Sequence, residues 1–165
     1  MSASEQTTAA ETSARAVNAT QPRHVETLII GTGFAGLLAA IRLQKAHSDD
    51  FVLLERSSEL GGTWQVNSYP GAEVDVPTSL IKKFGLRRYA RTQQTVSRLT
   101  FDERECLWCV QTESGDSYTA RFVIDASGVL ANPHTPKIAG AESFQGPMFH
   151  AGHWDHSVAY DGKRV

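Results

Sequence analysis

Residues 24–56 read HVETLIIGTGFAGLLAAIRLQKAHSDDFVLLER, and their apolar pattern changes twice along the way. Val25 to Ile30 is short, apolar and β-branched, which predicts a strand. Leu37, Leu38, Ile41 and Leu43 then fall at helical spacing, which predicts a helix reaching about His47. FVLLE, residues 51–55, is apolar almost throughout, as a strand buried on both faces of a parallel sheet should be. Strand, helix and strand make a β-α-β unit, and the joint between the first two is GTGFAG. Gly31, Gly33 and Gly36 give G-x-G-x-x-G. In that spacing the first glycine permits a tight turn, the second lets a pyrophosphate approach the backbone, and the third lets helix pack on strand. The phosphates would sit on the helix N-terminus, where free N–H groups and the dipole favour negative charge. Glu55 ends the second strand about twenty residues beyond the last glycine, where a carboxylate can accept ribose hydroxyls. That carboxylate repels a 2′-phosphate, so the expected dinucleotide at this loop is FAD or NAD, not NADP.

The bulk properties agree with one ordinary domain. The chain has 165 residues, 41% hydrophobic and 21% charged, with net charge −2. Such a balance gives no support to a nucleic-acid partner or an anionic membrane, and no apolar run approaches the length of a membrane span. The N-terminus lacks the pattern of a secretory signal, and the two cysteines, Cys106 and Cys109, read as free thiols, so the expected location is cytoplasmic. Cys106 and Cys109 stand three apart in a segment alternating like a strand. Their side chains should then point to opposite faces, against zinc or disulfide chemistry.

Residues 1–23, mostly Ala, Ser and Thr, are expected to be a disordered tail. GGTWQVNSYPGAEVDVP, residues 61–77, has no period and reads as loop. Residues 92–126 read as several short strands with turns, a small β-meander. Residues 129–146 carry Pro133, Pro136, Gly140 and Gly146 and read as loop, while GKRV, residues 162–165, resembles the entry to another strand. His150, His153 and His156 lie near the end, three apart, but i, i+3, i+6 fits neither one helix face nor one strand face, so no metal site is expected.

The segment after the second predicted strand resembles that of flavin-dependent Baeyer–Villiger monooxygenases, members of the flavin-containing monooxygenase superfamily. Those proteins carry E-R-x-x-x-x-G-G-T-W, N-x-Y-P-G and then an Asp. Here the matching residues are Glu55, Arg56, Gly61, Gly62, Thr63, Trp64, Asn67, Tyr69, Pro70, Gly71 and Asp75. The family fingerprint, F-x-G-x-x-x-H-x-x-x-W followed by Pro or Asp, is met by Phe144, Gly146, His150, Trp154 and Asp155. Sister N-oxygenating enzymes usually lack that Trp. VIDASG, residues 123–128, resembles the family's A-T-G strand end, with Ser127 in place of Thr.

The resemblance implies a Rossmann-like, three-layer α/β FAD-binding domain with a small β-meander. It also implies an activity: use of NADPH and O₂ to convert a ketone to an ester or lactone, or to oxidise a sulfide. Gly31, Thr32, Gly33, Phe34, Ala35 and Gly36 would hold the FAD pyrophosphate and Glu55 the adenosine ribose. Thr63 and Trp64 would line the flavin side, Arg56 and Gly62 would also belong to the cofactor-binding set, and Val96 would set its backbone against adenine. Asp75 would orient a catalytic arginine beside the isoalloxazine. Phe144, Gly146, His150, Trp154 and Asp155 would form the linker between nucleotide domains, structural or allosteric in role. Core packing remains the competing reading for Trp64 and Trp154, and a solvated turn for Asp75.

The same resemblance marks departures. Ile81 stands where the family has a Tyr. After DVPTSL the chain runs directly into a segment that the family reaches only later, so an internal stretch is expected to be missing. Residues 24–143 would be a partial FAD-binding domain, and 144–165 the linker with the start of an NADPH-binding domain, about the first third of such an enzyme. A truncated, inactive FAD-binding remnant is therefore one alternative function. An NAD-dependent dehydrogenase is another, though it leaves GGTW and the fingerprint unexplained.

Overall fold

The strand predicted from Val25 is β1, Arg23–Ile30, and its apolar middle is fully buried. It is followed by helix α1, Phe34–Lys45, and by β2, Phe51–Leu54. The structure, a computed structural model, describes residues 21–72, 74–130 and 132–164. The expected tail, as far as residue 20, lies outside the described residues, and Arg23 already belongs to β1. β1 and β2 are adjacent and parallel, with Thr27 beside Phe51 and Ile30 beside Leu54. The helix between them packs back on the sheet, as a β-α-β unit must.

A two-residue strand β3, Ala90–Arg91, continues the parallel order on β2. Beyond it the chain forms the meander: β4, Val96–Asp102, β5, Leu107–Thr112, and β6, Ser117–Asp125. β6 pairs antiparallel with β5 but parallel with β1, so one mixed sheet runs β3-β2-β1-β6-β5-β4. The return of β6 to the middle puts Asp125, Ala126 and Ser127 beside the exit of β1, where Ala126 N–H donates to the Ile30 carbonyl at 2.9 Å.

Two apolar cores hold the sheet. On one face Ile29, Leu53 and Phe51 meet Leu37, Ala40 and Ile41 of α1, with Ile81 and Leu86 closing the cluster. On the other face Val25, Leu28, Val52 and Leu54 meet Val110, Tyr118 and Ala120 of the meander. β2 is covered on both faces, which explains its unbroken apolar run.

Four expectations need correction. The stretch after residue 61 is not all loop: Thr63–Val66 forms a short helix α2, and Val76–Phe84 forms α3, whose start lies within the stretch read as loop. Proline-rich composition hid that start, yet the usual helix signals are there. Pro77 lies in the first turn, Lys82 and Lys83 in the last, and Gly85 follows in the left-handed region with φ 60°. The first meander strand begins at Val96 rather than Thr92, because Gln93 takes a left-handed φ of 56° and turns the chain. Cys106 is not on a strand. It occupies the turn before β5 with φ 53°, exposed, while Cys109 is on β5, and both are free. Finally, residues 161–163 form a turn in which Lys163 N–H donates to the Tyr160 carbonyl, not a strand entry; Val165 lies outside the described residues.

Candidate functional site

The three loop glycines differ in why they are glycine. Gly31 has φ 96°, and a Cβ there would lie 2.6 Å from the Ala126 carbonyl oxygen, so the returning end of β6 forbids a side chain. Gly36, in the first turn of α1, would place a Cβ 2.0 Å from the Gly31 carbonyl oxygen. Both are demanded by the chain's own packing. Gly33 is not. It caps α1 with an ordinary φ of −68°, makes no side-chain cap bond, and a Cβ on it would meet only the Gly62 Cα, at 3.9 Å. No close contact in the fold excludes a side chain at 33; a Cβ there would make only an ordinary van der Waals contact.

The amides near this opening divide into spent and free. Gly31 N–H donates to the Leu54 carbonyl at 2.8 Å, and Thr32 N–H donates to Glu55 Oε2 at 3.0 Å. The first N–H groups of α1 have no partner within the helix. The amides of Gly33, Phe34 and Ala35 therefore carry the anion-binding capacity of the loop, with no acidic side chain in the first turn to oppose it. Phe34 and Ala35 are exposed.

Glu55 continues β2 past its last strand residue, and it is only 5% exposed. Its Oε2 accepts both the Thr32 N–H and the Thr32 hydroxyl, the latter at 2.5 Å. Its Oε1 accepts Ser57 N–H at 2.9 Å. Thr32, fully buried, accepts in turn from Gly61 N–H at 3.3 Å. Thus the glycine loop, the acidic strand end and the second glycine pair form one hydrogen-bonded unit.

Gly61 and Gly62 bend the chain with φ 137° and 64° and lead directly into α2. Thr63 is half-buried and Trp64 41% exposed, both at the start of that helix, so Trp64 is not a core aromatic. Arg56 is exposed and donates to Asn132 Oδ1 at 2.9 Å, tying the exit of β2 to the loop after β6. Val96 is half-buried and packs against the second core at the start of β4. Asp75 is exposed at the N-terminus of α3 and makes no cap bond with its side chain. Ile81, where the resemblance leads one to expect Tyr, is buried on the core face of α3.

The loop after β6 begins with an electrostatic device. Asp125 accepts Ser127 N–H at 3.0 Å, and hydrogen bonds from the Ser127 backbone and hydroxyl hold its carboxyl below the ordinary value. Further on, Phe144 explains Gly146: its ring lies where a Cβ at 146 would stand, within 2.6 Å. His150 Nδ1 accepts Gly152 N–H and caps the 3₁₀ turn Ala151–His153. Trp154 is half-buried and meets Phe149 and Tyr160 edge-on, with ring centroids at 5.0 and 5.9 Å. Asp155 accepts the Ser157 hydroxyl and N–H, which lower its pKa. The fingerprint residues are thus a string of local turns on an aromatic cluster. His156, considered in the sequence only as one of three evenly spaced histidines, bonds through Nε2 to Ser68 Oγ at 2.9 Å, joining this string to the loop after α2. Among the described residues no three His, Cys, Asp or Glu side chains gather as metal ligands, and no helix is long and apolar enough to cross a membrane.

Known proteins resemble this chain in sequence and fold. The model of an NAD(P)-binding Rossmann-like domain matches residues 29–99. A Baeyer–Villiger monooxygenase of Pseudomonas aeruginosa is 35% identical, over 87% of this chain and 32% of its own length. One from Streptomyces coelicolor is 36% identical, over 86% of this chain and 33% of its own. The Pseudomonas alignment runs over 171 positions, more than the 165 residues here, so that relative holds residues without a counterpart in this chain. Among solved structures, cyclohexanone monooxygenase from Rhodococcus sp. Phi1, bound to NADP+, superposes with a TM-score of 0.71 at 27% identity, over 84% of this chain and 32% of that one. In sequence and in fold the chain is similar to the Baeyer–Villiger monooxygenases, and it spans about a third of the length of the relatives it matches.

Proposed function

We propose that this chain binds the ADP half of FAD on its glycine loop and serves an NADPH- and O₂-dependent monooxygenation of Baeyer–Villiger type, acting on a small ketone or sulfide. The observation that carries the reading is Gly33. A side chain there would make no close contact within the fold, and its own amide is among the first N–H groups of α1, which have no partner within the helix. A pyrophosphate laid against Gly33, Phe34 and Ala35 would explain both facts. Glu55, held by its neighbours, would accept from the adenosine ribose, and Val96 would offer its backbone to adenine.

FAD, once bound and supplied with NADPH and O₂, brings the oxygen-transfer chemistry; the protein supplies position and electrostatics. Thr63 and Trp64, carried on a turn that touches Gly33 through Gly62, would flank the flavin side. Asp75, exposed and unengaged as a cap, is free to hold a guanidinium by charge-assisted hydrogen bonds, the role the family gives it. The aromatic string from Phe144 to Tyr160 would carry the connection toward an NADPH-binding domain.

Titration of the purified chain with FAD, read by flavin fluorescence, tests the reading. Saturable binding is expected, and Gly33→Ala should weaken it roughly tenfold or more while costing no more stability than an N-cap Gly→Ala change, about 1 kcal/mol or less. No saturable binding, or equal binding by Gly33→Ala, overturns it. The activity itself is tested by NADPH consumption with a cyclic ketone and detection of the lactone.

A further inference from the structure

We infer that Thr32 is a positioning residue that leaves the Glu55 carboxylate able to accept one ribose hydroxyl and not two; the inference rests on the nucleotide reading above. A carboxylate has about four acceptor positions, two on each oxygen. Thr32 fills both positions on Oε2, one with its N–H and one with its hydroxyl. Ser57 N–H fills one on Oε1. A ribose presents two neighbouring hydroxyls, and an unencumbered carboxylate takes one on each oxygen. Here only Oε1 retains an open position. The Thr32 hydroxyl cannot swing away to vacate Oε2 without cost, because it also accepts from Gly61 N–H and is buried at 0% exposure. Leaving those partners unmatched in a buried site is unfavourable. Thr32 therefore fixes where the carboxylate points and how many hydroxyls it reads.

The test compares ADP, 2′-deoxy-ADP and 3′-deoxy-ADP as competitors of FAD on the unmodified chain. One deoxy nucleotide should bind roughly tenfold more weakly than ADP, and the other within roughly twofold of it. Equal losses for both, or no loss for either, overturn the inference. Thr32→Ala, which removes the hydroxyl and leaves its space empty, should free a position on Oε2 and make the two deoxy nucleotides bind alike; Thr32→Ser should restore the asymmetry. A purely structural role would weaken all three nucleotides together and leave their ratios as in the unmodified chain, which also overturns it. If ADP itself does not compete and FAD does not bind, the nucleotide reading falls and this inference with it.

Discussion

A Cβ on Gly62 would stand 2.6 Å from the Gly33 Cα, so the second glycine pair lies directly against the glycine that opens the cradle. Gly62 also holds φ 64°, a conformation that side chains resist. Gly62→Ala should therefore lower stability by about 1–3 kcal/mol and displace the loop at Gly33, weakening FAD. Urea unfolding with FAD titration checks it. The contrast with Gly33→Ala, expected to lose FAD with little loss of stability, separates a wall of the cradle from its floor.

Glu55→Gln replaces one acceptor oxygen with a donor amide. Both Oε atoms already receive donors, so the amide must face an N–H or the Thr32 hydroxyl whichever way it turns. A loss of about 1–3 kcal/mol in unfolding free energy is expected. Stability unchanged in urea would show that the carboxylate is not held as described.

Ile81→Ala tests the helix that sequence reading missed. Ile81 is buried on α3 beside Leu86 and Ile41, and removing its branched side chain opens a cavity between helix and sheet. About 2 kcal/mol or more should be lost. Val76, exposed on the same helix, should tolerate Ala with little change.

Asp125 gives a pH signature. Its carboxyl is held below its ordinary value of 3.8 by the Ser127 hydrogen bonds. A depressed folded-state pKa adds stability that is full above the unfolded value and is lost as pH falls through the folded one. The window therefore lies below pH 3.8. Asp125→Asn should flatten that part of the acid limb in urea midpoints measured across it. Asp155, also held low by Ser157, titrates in the same region and keeps its share in the variant.

The β-α-β unit was legible in the sequence because strand and helix periods, glycine spacing and a terminal acid are local patterns, and β1, α1 and β2 follow them closely. The start of α3 was missed for an equally local reason: Pro77 closed a Gly/Pro-rich stretch read as loop, while Pro77 and Gly85 in fact mark the two ends of a helix. The fingerprint was visible as letters, but not what the letters do. That His156 reaches Ser68 is a matter of folding back.

Spacing along the chain determined that a glycine turn would form at Gly31–Gly36 with Glu55 following the second strand, the arrangement proposed here as a nucleotide cradle, since a turn between adjacent parallel strands needs no distant partner to be specified. Only the tertiary structure decided which parts of that cradle remain open. Ala126 arrives from β6 to occupy the space at Gly31, Gly62 arrives from the loop after β2 to meet Gly33, and Thr32 closes on Glu55. Steric exclusion and hydrogen-bond saturation depend on atoms far apart in sequence, so no local period could have revealed them.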